Sequence, residues 1–208
     1  MKMTRFEKLF VNRSSHTRTV ASRARQLLAY VVPEAGWRYL DVGCGVGAAA
    51  QEIVRTTDLD VTGVDVDPEQ IKAARARAEA PNLRFLVMDA TRLAFRDCEF
   101  DIVATSMMTH HVPNWERILV EMARVLRTGG YLIYSDFVFP SWLAKAGRRL
   151  IPFVGFPSGS ALASLAASQG LIQIHSAKAA GKTEVIWLKR GVELKEHPGS
   201  PLLAKQVG

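Results

Sequence analysis

Short apolar runs alternate along the chain with longer segments in which apolar residues recur at helical spacing. Apolar runs of about four to eight residues are typical of buried strands. Such runs predict strands over residues 39–42, 61–65, 83–88, 100–106, 131–136, 171–176 and 184–189. Helical patterns cover 6–13, 19–32, the stretch after 47, a segment opening at 67, and 115–126 and 160–169. Strands that alternate with helices indicate an α/β fold with a parallel sheet and helices on both faces.

The last two predicted strands are separated only by residues 177–183. A parallel crossover needs about a dozen residues or more, so two strands this close together must run antiparallel. The sequence therefore predicts a seven-stranded, mostly parallel sheet that ends in a reversed C-terminal hairpin.

Three glycines follow the first predicted strand at two-residue spacing, namely Gly43, Gly45 and Gly47. Glycine lets the backbone turn sharply and leaves no Cβ between the loop and a ligand. The free N–H groups of the next helix then face that ligand. Gly43, Gly45 and Ala48 also fit the relaxed dinucleotide fingerprint, so the loop by itself leaves two kinds of cofactor open.

Acidic residues before and after the loop separate these two possibilities. Asp65 ends the second predicted strand and can accept both hydroxyls of a ribose, which either cofactor would supply. Asp41, inside the first strand, suits an ammonium group, whereas a pyrophosphate at that place would repel it. Asp89 and Ala90, after the third strand, have no evident task with a pyrophosphate. The acids therefore favour a cationic nucleoside over a dinucleotide.

The segments around the glycine loop, Asp65, Asp89 and residues 107–126 resemble, in this order, the class I S-adenosylmethionine-dependent methyltransferases. The similarity is to the methyltransferase type 11 domain, in the small-molecule branch that includes the ubiquinone and menaquinone C-methyltransferases. It covers about residues 37–190. One departure is Thr128, where the family usually has proline before two glycines. The resemblance implies a Rossmann-like fold and S-adenosylmethionine as cofactor.

The resemblance also implies a set of cofactor contacts. Asp41 and the three glycines would hold the methionine end, Asp65 the ribose, and Val66 would cover the adenine. Asp89 and Ala90 would read the adenine amino group and ring edge, while Ser106 rests on family position alone. The implied cofactor-binding residues are Asp41, Gly43, Gly45, Gly47, Asp65, Val66, Asp89, Ala90 and Ser106.

Two adjacent histidines, His110 and His111, follow the fourth predicted strand at the edge where ligands bind in open α/β sheets. Methyl transfer by in-line displacement mainly requires placement of the reactants, which can supply on the order of 7–11 kcal/mol. A base is needed only for an acceptor that must lose a proton, and imidazole can serve near neutral pH. His111 and His110 are thus candidate catalytic residues, with packing or capping of the turn before Pro113 as the alternative role of the pair.

The net charge of +7 is unevenly spread along the chain. Residues 40–139 have ten Lys/Arg and fifteen Asp/Glu, whereas the segments before and after them each have a net charge of +6. An acidic middle suits a cationic cofactor, and basic ends invite nucleic acid, an anionic small molecule or a membrane surface. Nucleic acid is disfavoured, because the segment after the fourth strand lacks the Asn/Asp-Pro-Pro-aromatic motif with which amino-methylating nucleic-acid enzymes hold a base.

Residues 137–156 mix large apolar side chains with Lys145, Arg148 and Arg149. This segment could be a lid over a lipophilic acceptor, a peripheral membrane contact or an ordinary packed connection. No run approaches the roughly 18 apolar residues of a membrane span, and the charged N-terminus is not followed by a signal-like run. The two cysteines, Cys44 and Cys98, show neither disulfide nor metal-ligand spacing, and no metal site is expected.

Together these observations predict a cytoplasmic enzyme that transfers a methyl group from S-adenosylmethionine to a small lipophilic or aromatic acceptor. The expected organisation is an N-terminal helical lid over residues 1–36, a methyltransferase domain over 37–190 and a flexible tail over 191–208. The alternatives are a nucleic-acid or protein methyltransferase and a non-catalytic relative that only binds the cofactor.

Overall fold

The computed structural model describes residues 14–179 and 182–190. Its seven strands form one sheet in the order β3-β2-β1-β4-β5-β7-β6. Strands β1 to β5 are parallel, β7 is antiparallel to β5, and β6 is antiparallel to β7. The predicted mixed sheet with a reversed C-terminal hairpin is therefore confirmed. The strands are β1 (Arg38–Val42), β2 (Asp60–Asp65), β3 (Leu83–Val87), β4 (Phe100–Ser106), β5 (Leu126–Asp136), β6 (Leu171–Ala179) and β7 (Lys182–Lys189).

Helices cover both faces of the sheet. Leu27, Ile53 and Ile71 pack into one core, and Ile118 and Leu162 into a second core on the other face. Burial of these side chains fixes the helices on the sheet, at about 25 cal/mol for each Å² of apolar surface removed from water. The helices are α1 (Ser14–Leu28), α2 (Ala48–Thr56), α3 (Pro68–Arg75), α4 (Trp115–Val125), α5 (Ser141–Leu150) and α6 (Gly159–Ser168), with a short 3-10 turn at Thr109–His111.

The start of β5 differs from the sequence prediction. The strand begins at Leu126, and residues 127–130 form a bulge within it, whereas the sequence predicted a turn that ends before residue 131. Leu126 pairs with Phe100 and Tyr131 with Ile102, so the extra residues are accommodated opposite one position of β4. Consecutive Thr and Gly residues occur both in turns and in bulges, so only the pairing with β4 distinguishes a bulge from a turn here.

Two helices also differ from the prediction. Helix α1 ends at Leu28 rather than at residue 32, and α5 lies within a segment for which no helix was predicted. The predicted helix over 6–13 and the tail over 191–208 lie outside the described residues. Of the helices in the described ranges, none combines the length and apolar character that crossing a membrane would require.

Candidate functional site

The carboxyl ends of the parallel strands open into a cavity of about 420 Å³. Its wall combines the loop after β1, the end of β2, the residues after β3, the turn after β4 and the start of α4. One residue of α1, Val20, also reaches it. Other lining residues are Gly43, Cys44, Gly45, Asp65, Val66, Met88, Asp89, Ala90, Thr91, Ser106, Met107, Met108, His111, Val112, Pro113, Asn114 and Ile118.

The glycine loop is held against the end of β2. Gly43 and Cys44 donate their N–H groups to the carbonyl of Val64 at 2.8 and 3.0 Å. The N–H of Gly45 donates to Oδ2 of Asp65 at 2.9 Å. Gly43 has a φ of 75°, and a Cβ there would lie 2.5 Å from Cγ of Met108. The loop and the turn after β4 thus approach too closely for any residue other than glycine.

Gly47 lies behind the cavity wall rather than on it. It is the N-cap of α2, with a φ of 78°, and a Cβ there would lie 2.5 Å from the ring of Phe85. Its structural task is close packing of α2 against the sheet, so direct contact of this residue with a cofactor is not indicated.

Asp65 and Val66 form the part of the wall at the end of β2. Asp65 accepts the N–H of Gly45 on one oxygen and the N–H of Asp67 on the other, both at 2.9 Å. Burial raises the pKa of Asp65, and these hydrogen bonds partly oppose that effect. The side chain of Val66 is 43% exposed. An apolar side chain beside a carboxylate matches the contacts expected for an adenosine.

Asp41 is buried beneath the glycine loop and does not line the cavity. Its Oδ2 has no hydrogen-bond partner among the described residues. Burial, followed by the nearby charge of Asp65, raises the pKa of Asp41 to about 7. A buried carboxylate oxygen without a donor is costly, and a cation close to the loop would offset that cost.

The residues after β3 also line the cavity. Oδ1 of Asp89 accepts both the N–H and the hydroxyl of Thr91 at 2.8 Å, and these bonds lower the pKa of Asp89. Its second oxygen has no role in that turn. Ala90 and Met88 line the wall beside it. The predicted pair of Asp89 and Ala90 is therefore placed where an ionised acceptor faces an apolar surface.

The two histidines are placed differently. His111 lines the cavity, whereas His110 lies behind it with its ring centroid 3.9 Å from that of His111. Nδ1 of His110 lies 2.5 Å from Oδ1 of Asp136, at the end of β5. Ser106, which ends β4, is part of the wall as well.

Sequence reasoning missed Asp136. This carboxylate has no exposed surface, and Oδ2 accepts the N–H of Met108 at 3.0 Å and both the N–H and the hydroxyl of Thr109 at 2.7 Å. Burial alone would raise the pKa of Asp136, but the hydrogen bonds from His110 and Thr109 outweigh it, so the pKa lies below its ordinary value. The sequence feature that could have indicated Asp136 is its place at the carboxyl end of the fifth predicted strand, since the histidines follow the fourth.

A mostly parallel sheet with a reversed hairpin, above a glycine loop flanked by acids, defines the class I S-adenosylmethionine-dependent methyltransferase fold. Residues 40–134 match the family model described as a methyltransferase domain. The similarity of this region supports a class I S-adenosylmethionine-dependent methyltransferase domain, for which the cofactor is S-adenosylmethionine. The narrower similarity to the ubiquinone and menaquinone branch stays a prediction.

Two of the curated relatives each match about half of this chain. Over 102 residues the chain is 41% identical to phthiotriol/phenolphthiotriol dimycocerosates methyltransferase 1 of Mycobacterium ulcerans. That match covers 49% of this chain and 38% of the relative. Over 124 residues it is 38% identical to a fatty-acid O-methyltransferase of Mycolicibacterium smegmatis. That match covers 56% of this chain and 45% of the relative. The chain thus spans less than half the length of the curated relatives it matches.

Solved structures share the fold at low sequence identity. Geranyl diphosphate C-methyltransferase from Streptomyces coelicolor, solved with Mg²⁺, geranyl diphosphate and S-adenosylhomocysteine, has a TM-score of 0.69 at 14% identity over 86% of each chain. A chain from the complex of the Haloferax volcanii Trm112 methyltransferase activator with a methyltransferase has a TM-score of 0.73 at 19% identity. That match covers 92% of this chain and all of the other.

The residues present fit S-adenosylmethionine on two structural grounds. The cofactor has two cationic groups, and the cavity is flanked by Asp65 and by Asp41, whose Oδ2 has no donor in the described part of the chain. It also ends in an adenosine, for which Val66, Asp89 and Ala90 offer an apolar wall and an acceptor. Gly47 and His110, although predicted as site residues, lie one layer behind the wall.

Proposed function

We propose that this chain transfers a methyl group from S-adenosylmethionine to a small lipophilic or aromatic acceptor by in-line displacement. The proposal rests on one observation above the others, which is that a single cavity is lined by two chemically different sets of residues. One set comprises the glycine loop, Asp65, Val66 and Asp89, and the other comprises His111 with the apolar residues Met107, Met108, Val112, Pro113 and Ile118.

The apolar lining residues support a lipophilic acceptor. Thioether and aliphatic side chains bind carbon-rich surfaces and give no charge with which to hold a polar one. The name of one relative, fatty-acid O-methyltransferase, refers to an acceptor of that kind. When bound, S-adenosylmethionine supplies an activated methyl group. The protein then has to hold the acceptor in line and exclude water, which is the task that the apolar wall can perform.

His111 is proposed to orient the acceptor or to take its proton. It lines the same cavity as Ser106 and the apolar residues that follow β4. His110 is proposed to act through His111 and not directly, because it is set behind the wall and bonded to Asp136. The N-terminal lid, the cytoplasmic location and the membrane contact of residues 137–156 remain predictions.

The first experiment is calorimetric titration of refolded protein, freed of carried-over ligand, with S-adenosylhomocysteine. One-to-one binding at micromolar affinity is expected, followed by turnover with fatty-acid, phenol or quinone acceptors. Asp65→Ala removes the ribose acceptor and should weaken binding at least about tenfold.

Asp60→Ala is the matched control, because Asp60 begins the same strand at the opposite edge of the sheet. Absence of binding in correctly folded wild-type protein would overturn the proposed cofactor. Binding without turnover of any acceptor would instead favour the non-catalytic alternative.

A further inference from the structure

The outer side of α5 and the loop after it expose large apolar side chains next to basic ones. Trp142 is 72% exposed, Leu150 77% and Phe153 58%. Lys145 and Arg149 are exposed as well. We call these residues, together with Ile151, the α5 outer face.

Helical geometry places the basic residues and the tryptophan on one side of α5. Trp142, Lys145 and Arg149 are three and seven residues apart, which corresponds to one face of a helix. Ala144 and Gly147 point the opposite way and are buried. The apolar surface then continues beyond the helix, in the loop that follows it.

The inner side of the same segment is firmly attached to the domain. Arg148 pairs with Glu116 at 2.5 Å, and its Cζ lies 5.7 Å from the ring centroid of Trp115, so it binds α5 to the start of α4. A Cβ on Gly147 would lie 2.5 Å from the ring of Phe156. The N–H of Gly155 donates to the carbonyl of His110 at 3.0 Å, which ties the loop to the turn at the cavity.

An anchored segment cannot turn its exposed tryptophan and phenylalanine inward without breaking these contacts. Contiguous exposed apolar side chains of this size mark an interaction surface. The type of partner follows from charge, because residues 137–156 contain three basic residues and no acidic one. Lys145 and Arg149 have no ion-pair partner within residues 14–179 and 182–190, whereas Arg148 is used internally.

We propose that the α5 outer face docks on an anionic lipid surface. Trp142, Leu150, Ile151 and Phe153 would enter the boundary between headgroups and acyl chains, and Lys145 and Arg149 would contact the phosphates. The proposal goes beyond methyl transfer and does not depend on it, because it requires only the exposed face. Residues 137–156 then have two sides, of which the inner side anchors the segment to the domain and the outer side contacts the membrane.

The test is co-sedimentation of the chain with vesicles of phosphatidylcholine alone or with phosphatidylglycerol added. Binding to the anionic vesicles is expected, decreasing with salt. Replacing Trp142 and Phe153 by Ala should reduce the partition coefficient about tenfold or more. Lys145→Glu with Arg149→Glu should reduce it more than about twentyfold and remove the preference for anionic vesicles.

The matched control is Lys72→Glu with Arg77→Glu, the same change of net charge at exposed positions in and after α3. This control should bind the anionic vesicles within about threefold of wild type, apart from a weak long-range effect of charge. Thermal unfolding and S-adenosylhomocysteine binding report whether each variant is folded, and neither should change. These two readouts keep a failure of docking separate from a failure of the proposed methyl transfer.

Three results would overturn the proposal. One is failure of the folded wild-type chain to bind anionic vesicles. Another is equal loss of binding in the α3 control, which would show an effect of total charge. The third is that the chain does not bind vesicles but forms a dimer, and that Trp142→Ala dissociates this dimer. That result would assign the α5 outer face to a second copy of this chain.

Discussion

Nδ1 of His110 lies 2.5 Å from Oδ1 of Asp136, and this contact joins the turn after β4 to the end of β5. Asp136 is completely buried and also accepts the N–H groups of Thr109 and Phe137 at 2.7 Å. A buried carboxylate remains ionised only where hydrogen bonds and charges outweigh desolvation. The pair thus determines the position of the turn that brings His111 to the cavity.

Asp136→Asn tests this arrangement. Amide replacement removes the charge and one acceptor, so we expect the free energy of unfolding at pH 7.5 to fall by about 2–4 kcal/mol in urea denaturation. The pKa of Asp136 is lower in the folded protein than its ordinary value. Its stabilisation is therefore present above pH about 4 and disappears as pH falls through the folded pKa.

Asp97→Asn is the control for Asp136. Asp97 pairs with Arg124 but its side chain is 77% exposed, so its loss should lower the free energy of unfolding by less than about 1 kcal/mol. Equal effects of the two substitutions would show that Asp136 does not organise the turn.

Asp41 predicts a pH dependence of cofactor binding. With a pKa of about 7, this carboxyl is mostly neutral at pH 6 and mostly ionised at pH 8. Only the ionised form attracts the ammonium of the ligand, so the association constant of S-adenosylhomocysteine should rise about tenfold between these pH values. Calorimetry at pH 7 in buffers of different ionisation enthalpy should detect release of protons on binding.

The variant Asp41→Asn serves as the control, and its binding should be weaker and nearly independent of pH in this range. An unchanged pH dependence would assign the titration to another group. In the ligand-free protein the raised pKa has the opposite consequence for folding. Its contribution to stability is complete below pH about 4 and is lost as pH rises through about 7.

Gly43 and Gly36 form a matched pair for testing the close approach of the loop. Their φ values are 75° and 78°, but a Cβ on Gly43 would lie 2.5 Å from Met108, whereas nothing lies within 4 Å of one on Gly36. Gly36→Ala should cost about 1–2 kcal/mol of backbone strain. Gly43→Ala should lower the free energy of unfolding by more than Gly36→Ala does and weaken S-adenosylhomocysteine binding at least about tenfold. Similar unfolding curves for the two variants would contradict the close approach of Gly43 to Met108.

His111→Ala addresses catalysis once an acceptor is identified. With an acceptor that must lose a proton, we expect kcat to fall about 100-fold or more while the affinity for S-adenosylhomocysteine changes less than about threefold. His175→Ala is a suitable control, because His175 lies in β6, where its ring centroid is 3.9 Å from that of Tyr30, just after α1. An unchanged kcat in His111→Ala would contradict the catalytic role and show that the residue serves only in packing.

Local features were sufficient to predict most of the fold. Strand positions follow from short apolar runs, and the capped start of α3 follows from Asp67, which accepts the N–H of Glu69 at 2.9 Å. The short connection before β7 requires an antiparallel hairpin. Each of these depends on neighbouring residues alone, as do the left-handed glycines of the loop.

The composition of the site depended on tertiary structure. The sequence by itself determined that Asp65 and His111 end up at the same edge of the sheet, because parallel strands share one carboxyl edge. It did not determine which histidine faces the cavity, nor that Asp41 and Gly47 lie behind the wall. Ser106 of β4 pairs with Ser135 of β5, and this register brings His110 to Asp136. Pairing between strands distant in sequence sets such contacts, and no local pattern encodes that register.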